Sequence, residues 1–177
     1  MTLSVRRSVA VLALGAALAT AGCGTTSADR AATVDGTVIS ESDLQTTMRE
    51  VNAMEPALVQ NALSPSSTLT ALVQAPVVLD VLAGKGIAVS DSVARRTATE
   101  RGLRDPSEGT LQIVRLATAI GNAQQGGQIT ETDAATLQER LGALDVTVNP
   151  RYGAFDPQTA SVQLTQPGWI TAPDAPQ

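Results

Sequence analysis

The chain has 177 residues, 12 basic and 17 acidic side chains for a formal charge of −5, and no histidine. An acidic chain is a poor nucleic-acid ligand, and the lack of histidine removes the commonest general base, the Ser/His/Asp and Cys/His arrangements and most zinc sites. Tyr152, Phe155 and Trp169 are the only aromatic residues, so any core formed ahead of them consists of Leu, Val, Ile, Met and Ala, a composition that favours helices.

At the amino terminus Arg6 and Arg7 precede an apolar run from Val9 to Ala19, followed by the small residues Thr20-Ala21-Gly22 and then Cys23. This is the three-part layout of a secretory signal over residues 1–22. About a dozen apolar residues, at roughly 1.5 Å each, fall well short of the ~30 Å hydrocarbon core, which argues against a permanent span. Thr20-Ala21-Gly22-Cys23 resembles the lipobox of bacterial lipoproteins, with Thr20 where leucine is commoner. That resemblance implies a lipidated Cys23 and an anchor on the extracytoplasmic face of the cell membrane. The competing reading is ordinary cleavage after Ala19-Thr20-Ala21 with Cys23 left as a thiol. A lone cysteine has no disulfide partner within the chain, and lipidation accounts for its presence. Without residues 1–22 the chain keeps 155 residues and 10 basic against 17 acidic side chains, a charge of −7. It has no polybasic patch for anionic lipid, so attachment rests on acyl chains.

Residues 23–31 are small and polar after the cysteine and read as a lipidated tether. The folded domain is expected over 32–153. Ala32 to Ile39 places β-branched residues on both sides of Asp35-Gly36, which suggests a small strand or tight hairpin. Ser40 is the expected cap of a first helix, with Asp43 at its third position. Leu44, Met48, Val51, Leu58 and Ala62 continue that helix at three- and four-residue steps, widened by Met54 and Val59, until Ser64-Pro65 ends it. A second helix over about 66–83 is apolar nearly all round and is expected to be central, with Pro76 the place for a kink or restart.

Gly84-Lys85-Gly86 stops it, and Ser90 caps a shorter polar helix through Arg101. Asp105-Pro106-Ser107-Glu108 has the spacing of a cap, a first-turn proline and a capping-box glutamate, opening a helix that Gly126-Gly127 breaks. Thr130 caps a last helix bearing Leu137 and Leu141. Leu144, Val146 and Val148 alternate as a strand, which pairs most economically with the strand at the other end of the domain. Residues 154–177, rich in Pro, Gln and Thr, read as a loosely ordered tail. The expected fold class is therefore mainly α, about five helices with a small two-stranded β element pairing the N- and C-terminal ends of the domain.

Three motifs along this frame carry a family resemblance. Val34-Asp35-Gly36-Thr37-Val38-Ile39-Ser40-Glu41-Ser42-Asp43-Leu44 resembles the opening strand and first helix of SurA/PrsA-type extracytoplasmic chaperones. Leu82 to Asp91 is similar to the A-x-x-x-G-I-x-V-S-D stretch after that family's buried helix. Val146 to Gly153 resembles the V-N-P-R-Y-G strand that closes related actinobacterial lipoproteins. The order and spacing agree across 32–153 and imply a SurA N-terminal-like helical domain. Family members usually add a parvulin prolyl-isomerase domain with active-site histidines. This chain has neither the histidines nor the room, so isomerase activity does not carry over.

No enzyme, cofactor or metal site is expected. Of the carboxylate pairs Glu41 and Asp43, Asp91 and Glu100, and Glu131 and Asp133, helix capping explains the first and last, and Arg95, Arg96, Arg101 and Arg104 read as a solvated helix face. Two non-catalytic readings compete. One is a holdase for unfolded or partly folded exported proteins, with Met48, Val51, Met54, Leu58 and Val59 as candidate client-binding residues because flexible side chains adapt to varied partners. The bland alternative for each of these residues is ordinary core; the other functional reading is an interaction module with one dedicated envelope protein.

Overall fold

The computed structural model describes residues 29–127 and 129–164; Cys23, most of the tether and Trp169 lie outside the described residues. The fold is mainly helical, with five α-helices and two small antiparallel sheets of three and two strands.

Strands β1 (Arg30–Val34) and β2 (Thr37–Ser40) form an antiparallel hairpin with Val34 opposite Thr37. Asp35 and Gly36 have φ of 47° and 80°, the two left-handed residues that a type I′ turn requires and Asp-Gly supplies. β1 also pairs antiparallel with β3 (Val146–Val148), Ala32 opposite Val148. The ends of the domain therefore meet as expected, in a sheet ordered β2-β1-β3 with three strands rather than two.

Helix α1 spans Glu41–Asn52, and its Ser40 hydroxyl accepts the Asp43 N–H at 3.0 Å. It ends ten residues before Ala62, a correction to the expected length. Pro56 cannot extend an α-helical ladder, and the Asn52 side chain clasps Leu63 instead, accepting its N–H at 2.7 Å and donating to its carbonyl at 2.9 Å. Residues 53–63 thus form a closed loop, latched from outside by Arg101, which donates to the carbonyls of Pro56 and Ala57.

Ser64-Pro65 begins the next helix rather than ending the last. Helix α2 (Pro65–Gly84) has Ser64 and Ser67 in a reciprocal capping box and runs without interruption through Pro76. It is the one described helix long and apolar enough to cross a membrane. Its place in the fold accounts for that composition, since it packs against α1, α4, α5 and β1 and buries Leu69, Leu72, Val73, Val77 and Leu82.

Helix α3 (Asp91–Glu100) starts at Ser90 as expected. Helix α4 (Glu108–Gly126) is capped by Ser107, two residues after the predicted Asp105, and stops at left-handed Gly127. Helix α5 (Glu131–Gly142) begins with a Thr130–Asp133 capping box. Beyond β3, a 3₁₀ turn at Pro150–Tyr152 leads into a second hairpin, β4 (Ala154–Asp156) and β5 (Ser161–Gln163), with Phe155 opposite Val162. The expected tail therefore begins too early. Val162 is buried with Ala31, Ala32, Leu44, Leu69 and Tyr152, and Phe155 packs on that cluster, so this part of the chain belongs to the domain. Among the described residues the aromatic part of the core is Tyr152, with Phe155 packed against it, and the rest of the apolar core is Leu, Val, Ile, Met and Ala.

Candidate functional site

An open groove of about 820 Å³ lies between the first hairpin, α2 and the N-terminal turn of α4, within the size range of natural binding clefts. Its apolar floor comes from Val34, Val38 and Ile39 on the hairpin and from Leu72, Val73, Pro76 and Val77 on α2, extended by Leu144. Val38 is 42% exposed, and Pro76 is exposed beside it on the floor. β2 forms the outer edge of its sheet, and its residues Thr37, Val38 and Ile39 line the groove. Such an edge presents unpaired backbone donors and acceptors to an incoming chain.

Charged side chains frame this floor. Asp35 is at the hairpin turn, Asp43 in the first turn of α1, Asp80 on α2 and Glu108 in the first turn of α4, with Arg140 the single basic lining residue. Each acid has an internal partner. Asp35 accepts the Asp145 N–H at 2.9 Å, Asp43 the Ser40 hydroxyl at 2.6 Å, Asp80 pairs with Arg140 at 2.8 Å, and Glu108 with Arg115 at 3.3 Å. Asp80 and Glu108 nevertheless keep 68% and 73% of their side chains exposed, so their charge still reaches the groove.

At the base of the groove α1 and α4 nearly touch. A Cβ on Gly109 would stand 2.3 Å from Thr47 Oγ1, so glycine permits this crossing. Glu50, one turn along α1, accepts from Ser107 N–H at 2.8 Å and from Thr110 Oγ1 at 2.7 Å. Burial alone would raise the Glu50 carboxyl, but the hydrogen bonds from Thr110 and Ser107 outweigh it and hold the group below its ordinary value. A carboxylate from another helix thus completes the α4 cap, which explains why α4 begins at Ser107 and not beside Asp105.

No family model, curated protein or solved structure matches the chain.

None of the five residues put forward from helical spacing lines this groove. Val51 is 2% exposed and packs with Leu72 and Ile113, while Met54 is 1% exposed among Ala94, Ala98, Leu111 and Val114. Leu58 bridges those two clusters, Val59 rests on the first, and Met48 is half-buried on α1. The structure brings four of them together as the packing beneath loop 53–63. Of the carboxylates weighed for chemistry, Glu41 accepts from the Tyr152 hydroxyl, Asp43 from the Ser40 hydroxyl, Asp91 pairs with Arg115 at 2.8 Å, and Asp133 with Lys85 at 2.8 Å. Among the described residues no group of three or more Asp, Glu, Cys or His side chains is placed to hold a metal.

Sequence spacing could not reveal the groove, because its walls come from segments up to about a hundred residues apart. The one local signal is Val38, an apolar residue on the edge strand of the sheet, just after the Asp35-Gly36 turn.

Proposed function

We propose that this chain is a lipid-anchored extracytoplasmic holdase without isomerase activity, held to the membrane through Cys23 and binding apolar stretches of unfolded exported proteins. The observation that supports this reading is the groove, whose apolar floor adjoins the outer edge of β2. An apolar floor gives adhesion without demanding a particular sequence, and a strand edge adds main-chain hydrogen bonds that any extended client can make. The three motifs that resemble SurA/PrsA-type chaperones agree with it. The first of them, Val34 to Leu44, supplies the hairpin side of the groove and the first turn of α1. The five candidate residues on and after α1 are better assigned to packing, and the client surface to the hairpin and α2.

The test is suppression of aggregation of an unrelated, reduced and unfolded protein by the mature chain, with prolyl-isomerase rate on a test peptide recorded beside it. Suppression near stoichiometric amounts, without isomerase activity, is the expected result. Val38→Asp and Pro76→Glu each put a charge on the exposed floor and should abolish suppression while leaving the circular dichroism spectrum unchanged. If the unaltered chain fails to suppress aggregation, general client binding is wrong and a dedicated envelope partner takes its place, to be sought by crosslinking in the native envelope.

A further inference from the structure

We infer that the groove selects among clients by charge, taking extended segments whose apolar residues are flanked by Lys or Arg. This rests on the groove being the client site. Four carboxylates, Asp35, Asp43, Asp80 and Glu108, face one guanidinium, Arg140, around its floor, whereas the whole chain carries 17 acidic residues against 12 basic. The groove lining is therefore richer in acid over base than the chain as a whole, although Glu108 is also paired with Arg115 outside the lining. Asp43 and Glu108 sit in the first turns of α1 and α4, where the positive helix ends offset part of their charge. Asp35 and Asp80 have no such compensation, and Asp80 shares its charge with Arg140 alone. An incoming ammonium or guanidinium finds carboxylates on the hairpin side and the α2 side of the same apolar floor. A basic residue on either flank of an apolar stretch can thus be met while the stretch lies on Val38, Pro76 and Val77. An acidic flank meets like charge on both sides.

The experiment measures binding of three labelled peptides with one apolar centre and flanks of Lys, Ser or Glu to the mature chain in phosphatidylcholine nanodiscs, whose zwitterionic lipid adds no net charge. Empty discs are the control. The Lys-flanked peptide should bind most tightly and the Glu-flanked one least, with a difference that shrinks at high salt. Asp35→Asn with Asp80→Asn should weaken the Lys-flanked peptide about three- to tenfold and leave the Ser-flanked one unchanged. Asparagine before Gly36 suits a type I′ turn, so the fold is preserved. A remote pair, Glu100→Gln with Glu131→Gln, removes the same charge outside the groove and should have no effect. Equal weakening by both pairs would trace the preference to overall charge and overturn the selection proposed. Equal binding of all three peptides overturns charge selection but leaves the groove as client site, while binding of none overturns the groove reading itself.

Discussion

Asp133 joins two helices through one side chain. It accepts the Thr130 N–H at 2.9 Å and the Thr130 hydroxyl at 2.7 Å, closing the first turn of α5, and faces Lys85 Nζ, at the end of α2, at 2.8 Å. The Lys85 ammonium, followed by the two Thr130 donors, holds its carboxyl down to about 2. A carboxyl lowered on folding contributes stability that is complete above its unfolded value of about 3.9 and disappears as pH falls through the folded value. Asp133→Asn is expected to lower the urea midpoint at neutral pH, and the gap between variant and parent should close between about pH 4 and pH 2. Urea titrations of both proteins across that range check it; a gap that does not change with pH would assign the loss to geometry and not to charge.

At the scale of elements, the α1–α4 crossing shows what a short approach costs and permits. Gly109→Ala would normally favour a helix by about 0.5–1 kcal/mol, yet its Cβ would overlap buried Thr47, whose hydroxyl has no hydrogen-bond partner. The substitution should instead destabilise the domain by about 1–3 kcal/mol. Thr47→Ala removes the obstructing atom, so the double variant should recover most of that loss. Denaturation of the two single variants and the double variant measures the coupling, and simple additivity would refute the contact. This crossing also marks where the sequence was readable and where it was not. The hairpin turn at Asp35-Gly36 and the caps Ser40, Ser90 and Thr130 lie where local chemistry places them, because each satisfies backbone groups within its own segment. The start of α4 does not, because Glu50 arrives from α1 to hold the Ser107 N–H. The end of α1 was also obscured: Met54 and Leu58 keep a helix-like spacing but are buried from a loop, clasped by Asn52 and latched by Arg101. Apart from Val38 the groove has no local signature, since its floor exists only when the hairpin is folded against α2.

For the whole molecule, closure depends on a segment that composition assigned to a tail. Asn149 donates its backbone N–H to the Ala31 carbonyl at 2.8 Å and its side chain to the Arg30 carbonyl at 3.0 Å, tying the C-terminal side of the domain to β1. The Tyr152 hydroxyl then donates to Glu41, and its ring lies 5.4 Å from the Arg151 guanidinium carbon. Burial and the neighbouring Glu41 carboxylate both keep the Tyr152 phenol protonated, raising it above its ordinary value. Gly153 follows with φ 113°, and a Cβ there would lie 1.9 Å from the Gln163 carbonyl oxygen, so the chain can turn back onto α2 only through glycine. The returning hairpin is held by Thr70 Oγ1, which accepts the Val162 N–H at 2.9 Å, and by Gln74, which donates to the Ala160 carbonyl at 2.8 Å. Its Val162 and Phe155 cover the cluster around Leu44 and Leu69. Burying such side chains stabilises by about 1.5–3 kcal/mol each, a large share of the roughly 5–15 kcal/mol expected for a domain. Ending the chain after Gly153, where composition places the boundary, should therefore lower the unfolding free energy by about 3–5 kcal/mol. Gly153→Ala in the full chain should reproduce much of that loss by displacing the same hairpin. Urea denaturation of both forms decides the matter: a truncated chain as stable as its parent would show that the domain closes at β3 alone, and a large loss confined to the truncation would show that the hairpin docks without the close approach at Gly153.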